Sequence, residues 1–168
     1  METYKQQFIE FMVTSDALTF GEFVTKSGRQ TPYFINSGNF ADGPRIAQLG
    51  EWYARAINNR IGSGCDNLYG PAYKGIPLAV TTAVALWDVF QHRVTYTFNR
   101  KEEKAHGEKG ALVGHRYVGG EKVLIIEDVV TAGTSVRESL TLLKAITDVE
   151  IVGVIVSVDR QERGQGER

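Results

Sequence analysis

An α/β fold, with a central parallel sheet flanked by helices, is what this chain of 168 residues predicts. Three observations carry that expectation. From Asp66 onward, short apolar runs alternate with helical ones in the order DNLYG, IPLAVTTAVALW, VTYTF, VLII, SVRESLTLLKAI and IVGVIVSV, the rhythm of strand–helix–strand units. The runs VLII and IVGVIVSV are aliphatic on both faces, as strands covered by helices from each side are. The length supports one well-buried core and falls short of two comfortable domains, so residues 1–168 are expected to form a single domain.

Taken in order, Tyr4, Phe8, Phe11 and Met12 recur at helical spacing and predict a first amphipathic helix. The stretch FGEFVTKSGRQTPYFINSG follows, rich in aromatics and punctuated by Gly28, Pro32 and Gly38, and reads as short strands with turns beside the main sheet. A second helix carries Ile46, Leu49, Tyr53 and Ile57 on its core stripe. Residues 99–115, NRKEEKAHGEKGALVGH, lack apolar periodicity and read from composition as a solvated charged loop. Loops that long are uncommon unless they are functional or disordered.

Composition excludes several functions. Nineteen basic residues stand against 20 acidic ones, so global charge gives no reason to expect nucleic acid as a partner. Cys65 is the sole cysteine, which rules out an intrachain disulfide and a zinc cluster and fits a reducing cytoplasm. The opening METYKQQFIEF is too charged for a secretory signal, and GIPLAVTTAVALW is too short for a membrane helix, so no membrane association is expected. With no GxxxxGK[ST] and no GxGxxG after a strand, a P-loop kinase and a Rossmann dehydrogenase are both poor fits.

The chemistry concentrates in VLIIEDVVTAGTS, residues 123–135. A right-handed crossover from this strand to IVGVIVSV makes the two parallel, so Glu127, Asp128, Asp159 and Arg160 meet at one sheet edge, where open α/β sheets bind ligands. Gly133 supplies backbone freedom, and the amides at the start of the next helix, whose Val136, Leu140 and Leu143 face the sheet, make an anion site that fits a phosphate. Two carboxylates would repel a phosphate, so Glu127 and Asp128 suit neutral hydroxyls, and together these features suggest a ribose phosphate. A structural reading stays open, because Ser135 with Glu138 forms a capping box and Asp128 could simply end the strand.

IIEDVVTAGTS closely resembles the phosphoribosyl diphosphate (PRPP) signature of type I phosphoribosyltransferases, and FGEFVTKSGRQTPYFINSG, GPAYKGIPLA, FNRKEEKAHGEKGALVG and SVDRQERGQGE resemble, in order and spacing, segments of orotate phosphoribosyltransferases. The resemblance implies the type I fold with a small N-terminal hood, and a magnesium-requiring enzyme that joins orotate to PRPP, giving orotidine 5′-monophosphate and diphosphate in pyrimidine synthesis. By it, PRPP would be bound by Lys26, Tyr73, Lys74, Arg100, Lys101, Lys104, His106, Glu127 and Asp128, and by the turn Val129, Val130, Thr131, Ala132, Gly133, Thr134 and Ser135. Lys101, Lys104, His106 and Asp128 would be the catalytic groups, and Phe34, Ile35, Thr131 and Arg160 would line the orotate side. Arg160 suits that role chemically, because a guanidinium can grip orotate's carboxylate with two bonds; pairing with Asp159 is the structural alternative. The loop of residues 100–106 would close over PRPP and be shared between the subunits of a homodimer. No protein-held metal site is implied; magnesium would ride mostly on substrate oxygens and water.

The acid pair is Glu-Asp where Asp-Asp is common in this family, and Ile35 stands where an aromatic often sits. The chain ends at GQGER, where family members continue with another helix, strand and helix, so a piece or an unusually short member is expected. Two competing functions are a phosphoribosyltransferase for another base and a non-catalytic sensor of PRPP or nucleotides. Turnover separates the sensor from either enzyme.

Overall fold

A computed structural model describes residues 3–25, 28–101, 111–146 and 148–162. The chain divides into two compact units, Met1–Gln48 and Leu49–Arg168. The first holds helix α1 (Thr3–Thr14), strands β1 (Leu18–Val24) and β2 (Gln30–Ile35), and the start of helix α2 (Gly43–Ile61). Strands β1 and β2 form an antiparallel hairpin whose register shifts between Phe20 and Phe23, so the aromatic-rich stretch forms a hairpin as expected.

The second unit is the parallel α/β body. Its strands are β3 (Asn67–Tyr69), β4 (Thr95–Asn99), β5 (Leu112–Gly114), β6 (Lys122–Val130) and β7 (Glu150–Asp159), with helices α3 (Gly75–Phe90) and α4 (Thr134–Ile146). The sheet order is β5-β4-β3-β6-β7. Strands β3, β4, β6 and β7 run parallel, while β5 pairs antiparallel with β4 at one edge. That edge strand occupies the end of the segment that composition reads as a loop; three residues of LVG are too short for a periodic signal.

The aliphatic run of β6 explains the body's stability. Val123, Ile125 and Ile126 are fully buried and Leu124 nearly so, and each such side chain contributes about 1.5–3 kcal/mol of transfer free energy. Side chains alternate along the strand, so Val123 and Ile125 share a face, where they cluster with Tyr69 and with Leu143 of α4. The buried Asn67 is fully engaged, giving bonds to Thr95 (2.9 Å) and Thr97 (3.0 Å) and accepting one from Tyr117 (2.7 Å).

Connectivity places the site. From β3 the chain crosses through α3 to β4 on one side, and from β6 through α4 to β7 on the other. The strand order therefore reverses between β3 and β6, which opens a crevice beyond their C-terminal ends. Right-handed crossovers in opposite directions set α3 and α4 on opposite faces. Strand β3 stops at Tyr69, opposite Ile125, while β6 runs on to Val130 beside β7. The last residues of β6 thus have a neighbour on one side only.

Candidate active site

Glu127 and Asp128 do not terminate the strand, as the sequence suggests, but lie within β6, three and two residues before its end at Val130. The long β7 keeps β6 paired through Val129↔Val158 and Val130↔Asp159, and the short β3 leaves the other side of the acids open to the crevice. Asp128 Oδ2 meets Lys74 Nζ at 3.0 Å, an ion pair from the β3–α3 loop across the switch point, and Asp128 Oδ1 accepts the Val129 amide at 2.7 Å.

Glu127 is turned inward. Its Oε2 accepts the Ser135 hydroxyl at 2.5 Å and its Oε1 the Asp128 amide at 3.1 Å. Burial pushes its carboxyl above the usual glutamate range, with the adjacent Asp128 charge acting the same way and the bonds from Ser135 and the Asp128 amide opposing it. The Ser135 bond also decides against the capping box. Helix α4 begins at Thr134, and the Ser135 hydroxyl reaches back to the acid pair instead of closing the helix end. Beneath the acids, the buried Tyr53 donates to the Glu127 carbonyl (2.8 Å) and shares a bond with Ser157 of β7 (2.7 Å). Sequence periodicity assigns Tyr53 only to the α2 core stripe, and its hydroxyl was the signal that it does more.

A pH dependence follows from the inward Glu127. The folded chain holds this proton more tightly than the unfolded chain, so stability falls as pH rises from the ordinary glutamate range through the raised folded value, and the penalty persists above it. Glu127→Gln removes that penalty. The melting temperature of the variant relative to the parent is expected to climb as pH rises from about 4 to about 7, whatever constant offset the altered hydrogen bonds add. Thermal melts at both pH values check the slope.

The turn after β6 uses the backbone freedom expected at Gly133. Gly133 adopts φ 72°, the left-handed region, and Thr131 and Thr134 are exposed beside it where α4 opens. Val129 and Val130 belong to the end of β6. Arg160, just past β7, donates its main-chain N–H to the Val130 carbonyl (2.9 Å) and its Nε to Glu162 (2.7 Å). The pairing with Asp159 weighed from sequence is not what forms, since Asp159 caps the Gln161 amide instead.

On the other side of the crevice, the loop of residues 70–75 folds tightly. A Cβ on Gly70 would overlap the Gly75 carbonyl, and one on Gly75 would lie 2.7 Å from the Gly70 carbonyl carbon. The peptide between Ala72 and Tyr73 is cis. Gly70→Ala is expected to cost at least about 1–3 kcal/mol by overpacking and to displace Lys74, and chemical denaturation reads the loss. Asn99 Oδ1 accepts the Ala72 amide at 2.8 Å, and Lys101 Nζ lies 5.2 Å above the Tyr73 ring. Arg100 Nε is buried with no hydrogen-bond partner among the described residues.

The structure therefore brings Tyr73, Lys74, Arg100, Lys101, Glu127, Asp128, the turn of residues 129–135 and Arg160 to one edge of the sheet. Lys26, Lys104 and His106 lie outside the described residues. Phe34 and Ile35 are successive residues of β2 in the first unit, so their side chains point to opposite faces of the hairpin and cannot both line one ligand with side chains. His115, at the end of the segment read from composition as a loop, lies 3.3 Å from Glu121.

A sheet whose switch point carries an acid pair, a glycine turn opening a helix, and cations from two further loops defines a phosphoribosyltransferase domain. The phosphoribosyl transferase domain model matches residues 36–167. An orotate phosphoribosyltransferase from Clostridium acetobutylicum is 53% identical over 168 residues, covering 100% of this chain and 75% of the relative, and one from Clostridium beijerinckii is 54% identical with the same coverage. The crystal structure of orotate phosphoribosyltransferase from Francisella tularensis superposes with a TM-score of 0.82 at 42% identity, over 96% of this chain and 75% of that one. The chain belongs to the orotate phosphoribosyltransferase family.

Proposed function

We infer that the chain transfers the 5-phosphoribosyl group of PRPP to orotate at the crevice between β3 and β6, giving orotidine 5′-monophosphate and diphosphate. The observation that carries this site is the meeting of Asp128 with Lys74 at 3.0 Å across the switch point, beside the glycine turn that opens α4. Asp128 and Glu127 accept the ribose hydroxyls; the turn of residues 131–135 takes the 5′-phosphate on main-chain amides; Tyr73, Lys74, Arg100 and Lys101 face the diphosphate. Arg100 Nε, buried and without a hydrogen-bond partner among the described residues, supports an anion there.

In the reaction, a bond forms from the pyrimidine N1 to the ribosyl C1 as the C1–oxygen bond breaks, and diphosphate leaves with the bonding electrons. The N1 proton is released. Positive charge grows on the ribose and negative charge on the leaving group, so the carboxylates and the cations stabilise opposite ends of one transition state. Arg160 offers orotate's carboxylate a planar fork whose orientation the Nε bond to Glu162 helps to fix, and Thr131 stands at the same edge. Lys26, Lys104 and His106 keep the PRPP roles the resemblance gives them, and of Phe34 and Ile35 only one can meet orotate with its side chain, the other with main chain.

Magnesium suits the donor set. Its oxygen ligands would come mostly from PRPP and water, as its preference for a hydrated octahedron allows, leaving Glu127 and Asp128 to the ribose hydroxyls. When bound, the ion would draw charge from the diphosphate. We also propose a cytoplasmic homodimer sharing residues 100–106. Val84 and Trp87, more than half exposed on α3, provide apolar surface for a second copy, and no helix among the described residues is long and apolar enough to cross a membrane.

The test mixes the purified chain with orotate, PRPP and magnesium and follows the loss of orotate's ultraviolet absorbance, with uracil and hypoxanthine as competing bases. Magnesium-dependent loss of orotate alone supports the assignment. Binding of PRPP without turnover would favour a sensor, and turnover of another base would move the specificity.

A further inference from the structure

We propose that Asn99 is a positioning residue that ties the diphosphate loop of residues 71–74 to the cations at Arg100 and Lys101, so that the two segments bind the leaving group as one unit. This rests on the reading that Lys74 and Lys101 meet the diphosphate.

The tie begins where two strands part. Strand β3 ends at Tyr69, paired with Thr97, and the Gly70 amide still donates to the Thr97 carbonyl at 2.9 Å. Two residues on, the next ladder bond of a parallel pair would run from the Ala72 amide to the Asn99 carbonyl. The Asn99 side chain takes that place, its Oδ1 accepting from Ala72 N at 2.8 Å. An amide oxygen thus extends the β3–β4 ladder one step beyond the point where the main chains diverge.

The Lys74–Asp128 ion pair ties the loop to β6, and its main-chain bonds, Gly75 N to the Pro71 carbonyl (3.0 Å) and Ile76 N to the Tyr73 carbonyl (3.3 Å), are internal to its own turn. They give the loop a shape without fixing it to β4. Asn99 supplies that anchor, and two residues later Lys101 places its ammonium 5.2 Å from the centroid of the Tyr73 ring, within cation–π reach. Two side chains at the end of β4 therefore hold two successive residues of the loop that carries Lys74.

The chemistry of residue 99 fits the task. The position needs an acceptor with this reach, and it sits next to a site for a highly charged anion. Aspartate would supply the oxygen with an added negative charge, leucine the shape without an acceptor; asparagine accepts while staying neutral. If Asn99 only satisfied a half-buried amide, removing it would lower stability and leave the kinetics of both substrates alike.

The first measurement uses the unaltered chain with magnesium and inorganic diphosphate, and reads hydrogen exchange at the amides of Ala72, Arg100 and Lys101. Slowing in both segments over the same diphosphate range is expected; slowing in one alone overturns the proposal. In steady-state assays, Asn99→Ala is expected to lower kcat/KM for PRPP by about 10- to 100-fold, the scale of a misplaced catalytic group, with the KM for orotate unchanged. The effect of Lys101→Ala should shrink in the Asn99→Ala background. Unchanged PRPP kinetics in a folded Asn99→Ala chain, equal shifts in both KM values, or strict additivity would each refute it. Lys74→Ala and Lys101→Ala separate the two levels. If neither alters PRPP kinetics, the diphosphate assignment and this inference fall together; if both do and Asn99→Ala does not, this inference alone falls.

Discussion

Replacing Asp128 with Asn is expected to lower kcat/KM for PRPP by about 10²- to 10³-fold, the range seen when one preorganised charge-stabilising group is removed. The substitution keeps the side chain's shape and cuts its acceptor capacity. Oδ1 takes the Val129 amide and Oδ2 takes Lys74, so an asparagine, with a single acceptor oxygen, must forfeit one of these bonds as well as its charge. The ribose hydroxyls then face a group that can donate, and the developing positive charge on the ribose loses a carboxylate that would stabilise it. Burial is the main cause that raises the Glu127 carboxyl and Asp128's charge adds to it, so the variant eases part of that penalty, which offsets part of the lost bond and keeps the melting temperature near the parent's. Loss of PRPP turnover with an intact melting temperature is the expected signature. Unchanged kcat/KM would remove Asp128 from the reacting centre.

The parallel body was legible because its strands are marked twice, by aliphatic runs buried on both faces and by the helices between them. Leu124 and Ile126 alternate with Val123 and Ile125, and all four are buried. What the pattern could not give was where pairing stops. Glu127 and Asp128 look like a strand's end because they are charged. Whether a strand continues is set by its neighbours, though, and β7 accompanies β6 to Val130 while β3 stops at Tyr69. That mismatch in length between neighbours, invisible along either strand alone, is what exposes the acids to the crevice. The same reasoning accounts for β5, whose three residues carry no periodicity and are ordered by β4.

The site divides in a similar way. The acid pair, the Gly133 turn and the cations at Lys74, Arg100 and Lys101 are local in sequence and could be picked out there. Their partners are not local. Lys74 finds Asp128 from 54 positions away, and Asn99 finds Ala72 from 27 positions away. Ser135 illustrates how local chemistry misleads: its spacing to Glu138 spells a capping box, yet its hydroxyl bonds Glu127 eight residues back. A buried carboxylate competes better for that proton than a helix end with solvent access. Arg160 was similarly drawn past the adjacent Asp159 to Glu162, because Asp159 turns to cap the Gln161 amide.

Lys101→Ala should depress kcat by about 10²-fold or more, with a smaller change in the KM for PRPP, because the ammonium matters most as the diphosphate takes on charge. Lys101 lies over the Tyr73 ring, which is 64% exposed. An exposed cation–π contact is worth about 0.5–1 kcal/mol, far less than a charge-assisted bond to a departing phosphate, so the ring can hold the ammonium near its target without trapping it. The ground state therefore loses little when Lys101 is removed and the transition state loses much. Tyr73→Phe, which keeps the π face, should leave kcat within about 2- to 3-fold of the parent, given how little an exposed contact of this kind contributes. A Lys101→Ala variant with normal kcat and a raised KM would mean that the ammonium recruits PRPP by charge alone; pre-steady-state measurement of the chemical step distinguishes the two.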